Sequence, residues 1–345
     1  MDNMKIQTNS EKLEALRELK KREKLNAYKG DFELFAKEQL KILPKDSSKG
    51  FQSFEFNEAQ KIVNEALEKQ LKETGRVRAI ILKARQMGLS TYTTGRVFWK
   101  SYFNAYNKSV VMAHDAATSD ALFGMSRNII YNMSDTFRPV LKKSNAKEIM
   151  FEHNDSGYRL YTAGAPEAGR GTTPTIAHLS EVAFWGHDEK ILAGLFQGIS
   201  QSEGTEVILE STANGVGNSF HRLWQGAVKG ENDYIAIFVP WYLMTEYQRK
   251  VPEGFERTTE EEVLVTRYNL SDNQLYWRRL KIAEGGENKF RQEYPATPEE
   301  AFIVSGSNVF NIEKLSKLVP QPILAKREFN FESSMMEDIR DGSIE

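Results

Sequence analysis

The chain has 345 residues, with 46 Lys and Arg against 48 Asp and Glu and no cysteine. That length supports one large core or two domains. No apolar run reaches the roughly 18 residues of a membrane span, and the charged N-terminus lacks the apolar core of a secretory signal. Disulfides and thiolate metal sites are excluded, which fits a reducing cytoplasm. The near-neutral charge gives no global attraction to nucleic acid, so any such contact must use local basic patches or charge supplied by assembly.

In chain order, Leu13, Leu16 and Leu19 recur at helical spacing, which predicts a helix over 9–27 with one modest apolar stripe. A second helix is expected over 31–42, ending before Pro44 and the polar "KDSSKG". Ile62, Val63, Ala66, Leu67 and Leu71 predict a third over 57–73, stopped by Gly75. The pattern then alternates. Strand-length apolar runs occupy 77–82, 109–113, 175–179, 205–210 and 234–239, with helices near 90–104 and 115–132 and weaker strands at 147–152 and 157–162. This predicts a mostly parallel sheet flanked by helices, with ligands bound beyond the carboxyl ends of its strands. The loops to search are therefore 83–90, 163–174 and 211–217. Past Pro240 the pattern is helical (259–269, 272–284), and from about 316 it reads as linker.

The stretch "KARQMGLST" (83–91) joins a strand to a helix, as a phosphate-cradling loop does. The usual G-x-x-x-x-G-K-[ST] pattern is altered: Leu89 holds the lysine's place and Lys83 that of the first glycine. Gly88 supplies backbone freedom, Ser90 or Thr91 a hydroxyl for Mg²⁺, and Lys83 can reach β/γ-phosphates from the loop's start. Arg85 adds a planar fork suited to phosphate oxygens.

Downstream, "TPTIAHLSEVAFW" is a strand ending in Ser180 and Glu181. Glu181 fits a carboxylate that orients or deprotonates attacking water. Ser180 stands where an aspartate is commoner, so Mg²⁺ would be held through its hydroxyl or water, with Ser90 as main anchor. "EVILESTANGVGN" ends a further strand in Glu210, Ser211, Thr212, Ala213, Asn214 and Gly215, a small polar turn suited to contact a γ-phosphate and report its loss. Upstream, "FEFNEAQ" offers Phe54 or Phe56 to stack on a base and Gln60 to read an adenine edge. The five histidines show no metal-ligand spacing, and no G-x-S-x-G elbow occurs. The cations Lys20, Lys21, Arg22 and Lys24, and the stretch "YWRRLK" with Arg278, Arg279 and Lys281, are weak DNA-contact candidates.

Taken in this order, "FNEAQ", "KARQMGLST", "HLSEVAFW" and "STANG", followed by "FRQEYPATPEEAFIVSGSNVF", resemble the ATPase domain of the large terminase subunit of tailed bacteriophages over residues 30 to 320. The front-placed lysine resembles the deviant Walker A of the lambda-like branch. The resemblance implies a P-loop fold of the ASCE/RecA-like type: an α/β core at 46–245, an N-terminal helical extension at 1–45, a helical lid at 246–315, and a linker at 316–345 towards an absent nuclease domain. It implies an ATP- and Mg²⁺-dependent motor that moves double-stranded DNA into the procapsid through the portal protein, with the small terminase subunit as partner, working as a ring in the host bacterial cytoplasm.

Under that resemblance Lys83, Gln86, Gly88, Leu89, Ser90 and Thr91 form the phosphate loop, with Arg85 sensing the γ-phosphate in cis. Glu181 is catalytic, Ser90 and Ser180 lie on the metal side, Gln60 and Phe56 on the adenine side, and Thr212 and Asn214 in the coupling motif. Arg170, in "EAGRGTTP", matches the place of an arginine finger reaching a neighbouring subunit. Asp338, Asp341 and Glu345 are loosely spaced and read as linker rather than nuclease ligands, so no nuclease activity is expected from this chain. The rival reading is a docking or switch module that binds nucleotide without useful turnover. A two-domain helicase would need more chain after residue 240.

Overall fold

The computed structural model describes residues 9–164, 173–303, 326–330 and 335–339. Its elements run α1 (Asn9–Gly30), α2 (Phe32–Gln39), β1 (Lys41–Ile42), β2 (Gln52–Ser53), α3 (Glu58–Thr74), β3 (Val77–Lys83), α4 (Leu89–Phe103), β4 (Lys108–Ala113) and α5 (Ala116–Tyr131). There follow β5 (Leu141–Ser144), β6 (Glu148–Phe151), β7 (Gly157–Thr162), β8 (Ile176–Ser180), α6 (Asp188–Gly198), β9 (Glu206–Ser211), α7 (Ser219–Lys229) and β10 (Ile235–Val239). The chain continues through α8 (Thr259–Tyr268), α9 (Asp272–Gly285), α10 (Glu287–Glu293), α11 (Pro298–Ile303), β11 (Lys326–Asn330) and β12 (Met335–Ile339).

Eight strands form one sheet in the order β10-β3-β9-β8-β4-β7-β6-β5. From β10 to β7 every pairing is parallel, and β6 and β5 add an antiparallel margin. This is the mostly parallel α/β sheet that the alternating pattern predicts. β9 lies between β3 and β8, so the two strands that end in the candidate loop and the candidate acid are not neighbours.

Helices cover both faces, and the central strands are therefore apolar on both sides. Along β3, Val77, Ala79 and Ile81 join a core with α3, α4, α5 and the N-terminal helices, while Ile80 and Leu82 join a second core with α6 and α7. The two-residue alternation of a strand sorts these side chains. On β8 and β9 it places Ile176 and Ile208 on the α4 side, so His178, Ser180, Glu206 and Glu210 project to the α4 side as well. The margin strand β5, "LKKS", is short and largely exposed, which suits an edge that must not pair further.

The N-terminal addition is tied in by aromatic rings. Phe32 stacks on Trp99 with centroids 5.3 Å apart, and Phe35 faces Phe98 at 6.2 Å. Leu13, Leu16 and Leu19 on α1 stay exposed. Past β10, Trp277 of α9 stacks between Trp241 and Tyr247, at 5.2 and 4.6 Å, and fixes the helical segment against the sheet's edge.

Residues Met1–Gly306 make one compact unit and Ser307–Glu345 another. The boundaries expected at 45 and 245 fall inside the first unit. In the second, within the stretch read as linker, β11 and β12 pair as an antiparallel hairpin. Asp341 and Glu345 lie outside the described residues, and the backbone of Asp338 stands in register opposite that of Arg327 in this hairpin.

Candidate active site

The carboxyl ends of β3, β4, β8 and β9 open onto a cleft of about 860 Å³. Its floor is the turn from β3 into α4. Gly88 closes that turn at φ +73°, and a Cβ there would come within 2.8 Å of the Gln60 amide. Only glycine meets both demands. Among the described residues no side chain caps the N-terminus of α4, so its first backbone N–H groups and its dipole face the cleft. Gln86 (φ 54°) and Glu181 (φ 54°, ψ 44°) hold left-handed backbone at this rim. For non-glycine residues that conformation costs about 1–2 kcal/mol each, and such strain clusters at functional sites.

Beneath the loop lies a buried charge network. Lys83 Nζ donates to Glu181 Oε1 at 2.8 Å and pairs with Glu210 Oε2 at 3.1 Å. Ser90 Oγ donates to Glu210 Oε1 at 2.9 Å, and His178 Nε2 lies 3.3 Å from the same oxygen. The other oxygen of Glu181 accepts from Ser211 Oγ at 3.3 Å and the Thr212 N–H at 3.4 Å. Burial by itself favours neutral Lys83, but the carboxylates of Glu210 and Glu181 override it and hold the ammonium pKa above its ordinary value. Burial likewise raises the Glu210 pKa, and Lys83, helped by the donors at His178 and Ser180, drives it well below the carboxylate range. The site thus keeps one cation and a fully buried anion in contact beside a helix N-terminus.

The structure gathers most of the residues singled out in the sequence. Lys83, Arg85, Gln86, Gly88, Leu89, Ser90, Thr91, Gln60, Glu181 and Thr212 all line the cleft. Several stand differently from expectation. Phe56 does not stack into the cleft; its ring is buried against Phe32, Phe54 and Tyr92 at 5.2 Å each. Apolar area gains more there than at an open rim. Gln60 is committed to the backbone: its oxygen accepts from the Asn57 N–H at 3.0 Å and its amide donates to the Gly88 carbonyl at 2.7 Å. It braces the loop rather than presenting an edge to a base.

Leu89 touches the cleft but its side chain is buried in the core below it. Ser180 is buried and does not line the cleft; it sits beside Glu210 as its register partner on the neighbouring strand. Thr91 Oγ1 is turned to Met125. Asn214 ties the turn after β9 to the Ala183 carbonyl at 3.1 Å. Arg170 lies outside the described residues. The "YWRRLK" cations are engaged internally: Arg279 with Glu261 at 2.5 Å and over the Phe255 ring, Lys281 with Glu284 at 2.6 Å.

Further contacts complete the site. Glu210, read in the sequence only as the start of the polar turn that ends β9, is its central anion. Arg85 is held by α10, through its N–H to the Glu293 carbonyl at 2.8 Å and its guanidinium to the Glu293 carboxylate at 3.2 Å. Tyr247 donates to the Arg85 carbonyl at 2.5 Å. Gln292 of the same helix donates to the Ala213 carbonyl at 3.1 Å, so α10 bridges the loops after β3 and β9.

A family model described as "Terminase large subunit, T4likevirus-type, N-terminal" matches residues 80–317, well over half of the chain. The chain belongs to the large terminase family. That description names the T4likevirus type and carries no lambda-like label. Among solved structures, this terminase superposes on the large terminase of bacteriophage HK97 with a TM-score of 0.55 at 16% identity, over 78% of this chain and 55% of that one. It thus spans about half the length of that protein, and the likeness is one of fold. The large terminase ATPase domain of Thermus phage P74-26 aligns with a TM-score of 0.48 at 14% identity, over 73% of this chain and 98% of that one.

Proposed function

We propose that this terminase chain is an ATPase that drives packaging of double-stranded viral DNA into the procapsid, with ATP as substrate and Mg²⁺ as its companion ion. The observation that carries the reading is the position of Lys83. It leaves the end of β3 beside the open N-terminus of α4 and touches Glu181. Backbone N–H groups and Lys83 would take the β- and γ-phosphates, and Arg85 at the cleft wall would meet the γ-phosphate from the α10 side. Once phosphate draws Lys83 away, Glu181 Oε1 is free to orient the attacking water and accept its proton. The backbone amide of Thr212 and the hydroxyl of Ser211 fix the other oxygen of Glu181.

The oxygen donors at Ser90 and Glu210 are hard and suit Mg²⁺, which when bound neutralises charge on the phosphates. Thr212 and Asn214 would pass the loss of γ-phosphate through the turn after β9, and α10 would carry it to the helical segment over 246–315, acting as a lid on a core at 46–245 with the 1–45 extension beside it. The remaining roles rest on the family resemblance: Arg170 as a finger reaching the next subunit of a ring, the portal protein and small terminase subunit as partners, the host cytoplasm as the setting, and the lambda-like branch, for which the front-placed lysine is the sole support. Among the described residues no helix is long and apolar enough to cross a membrane.

The rival, a switch module that binds nucleotide without useful turnover, is favoured by Ser180 and by the Lys83–Glu181 ion pair, which occupies the proposed base. ATP turnover measured with and without double-stranded DNA and portal separates the two, and stimulated turnover is expected. Mixing Arg170→Ala with Glu181→Gln chains should restore some turnover if the finger acts between subunits; none at any ratio would remove that role.

A further inference from the structure

We propose that Glu210 is the metal-side positioning carboxylate of this site, taking on β9 the part an aspartate would otherwise take at Ser180 on β8. The inference deepens the nucleotide reading above and rests on it. Ser180 and Glu210 are register partners at the ends of adjacent parallel strands, so their side chains project from neighbouring places on one face of the sheet. A carboxylate lost from one strand is thereby regained on the next. Glu210 is fully buried, yet two of the three side chains on its oxygens line the cleft: Lys83 at one oxygen, and Ser90, beside the buried His178, at the other.

The direction of the Ser90 contact matters. Ser90 donates its proton to Glu210 at 2.9 Å, which leaves the serine oxygen's lone pairs for a hard cation and places a negative charge behind it. A glutamate serving only as a counter-ion to Lys83 would not need the loop hydroxyl. Ser180, neutral, buried and outside the cleft lining, leaves Glu210 as the carboxylate of this strand pair.

The test is equilibrium binding of a fluorescent ATPγS analogue, with Mg²⁺ and with EDTA, so that the readout is the gain in affinity Mg²⁺ brings rather than turnover. Glu210→Gln should cut that gain by about 10–100-fold, as loss of an outer metal partner does, while metal-free affinity holds or rises, because Lys83 loses one of its two counter-ions. Ser180→Asp added to Glu210→Gln returns a carboxylate to the same place and should restore a large part of the gain. This double variant keeps the buried charge, so it carries the test even where the single variant fails to fold. The inference is overturned if Glu210→Gln keeps the full Mg²⁺ gain, or loses metal-free and Mg²⁺-dependent affinity equally, or if a folded double variant shows no gain. A wild-type chain that binds the analogue in neither condition overturns the nucleotide reading itself.

Discussion

β9 carries two glutamates, Glu206 at its start and Glu210 near its end, both fully buried and both projecting towards α4. At the amino edge of the sheet, Arg96 grips Glu206 with two bonds of 2.7 and 2.9 Å, Lys100 adds a third contact at 2.9 Å, and Glu68 takes the remaining arm of Arg96. Every strong group there is matched inside the protein. At the carboxyl edge Glu210 meets Lys83, Ser90 and His178, and two of those three line the cleft. Among the described residues His178 Nδ1 finds no partner, and the backbone next to the network is strained at Glu181. One strand thus shows two uses of a buried carboxylate. A saturated network fixes α4 to the sheet, and an unsaturated one keeps charge ready for a ligand.

Removing single groups from each end should break the comparison in different ways. Glu181→Gln at the cleft should lower ATP turnover by about 10²–10⁴-fold with little change in the melting temperature; unchanged hydrolysis would end its assignment as base. Arg96→Met at the closed end should do the reverse. It strands a buried anion, so urea unfolding should show a loss of about 3–5 kcal/mol, while folded protein still binds nucleotide. Leu89→Ala sharpens the contrast from the loop itself. The side chain is core, so stability should fall by about 2–5 kcal/mol and turnover per folded molecule should persist.

The smallest effect expected is pH dependence. Burial pushes Glu206 up, but Arg96 and Lys100 outweigh it and bring its pKa down to about 2 from an ordinary 4.5. Because the folded pKa is depressed, its stabilisation is complete above the unfolded value and is lost as pH falls through the folded one. Denaturant midpoints followed from pH 5 downward, roughly the window where that loss accrues, should therefore decline more steeply for wild type than for Glu206→Gln.

The sheet and its helices were largely legible because the strands at 77–82, 109–113, 175–179, 205–210 and 234–239 are short apolar runs bounded by polar turns. Each is found within a residue or two of its expected place. Helices α6 and α7 were not anticipated, and the short β5 has too few apolar residues to announce itself. The phosphate loop and Glu181 could be read because their chemistry is local: a glycine, hydroxyls and charges within a few residues. Glu210 could not. A glutamate closing an apolar run looks like an ordinary strand end, and its meaning comes from register with Ser180, which pairs positions thirty residues apart. The signal available was that "EVILE" carries an acid at each end of a run apolar on both faces. Phe56 and Gln60 misled for the converse reason: residue type allowed base contacts, but only packing tells that the ring enters the core and the amide braces Gly88.

Lys83 is proposed to supply the charge missing from the usual slot at Leu89. A crystal structure with ATPγS and Mg²⁺ tests it most directly. Lys83 Nζ is expected within roughly 3 Å of a β- or γ-phosphate oxygen, with its bond to Glu181 broken. A bound nucleotide with Lys83 still on Glu181 and Glu210, its phosphates met by Arg85 and backbone alone, would contradict it.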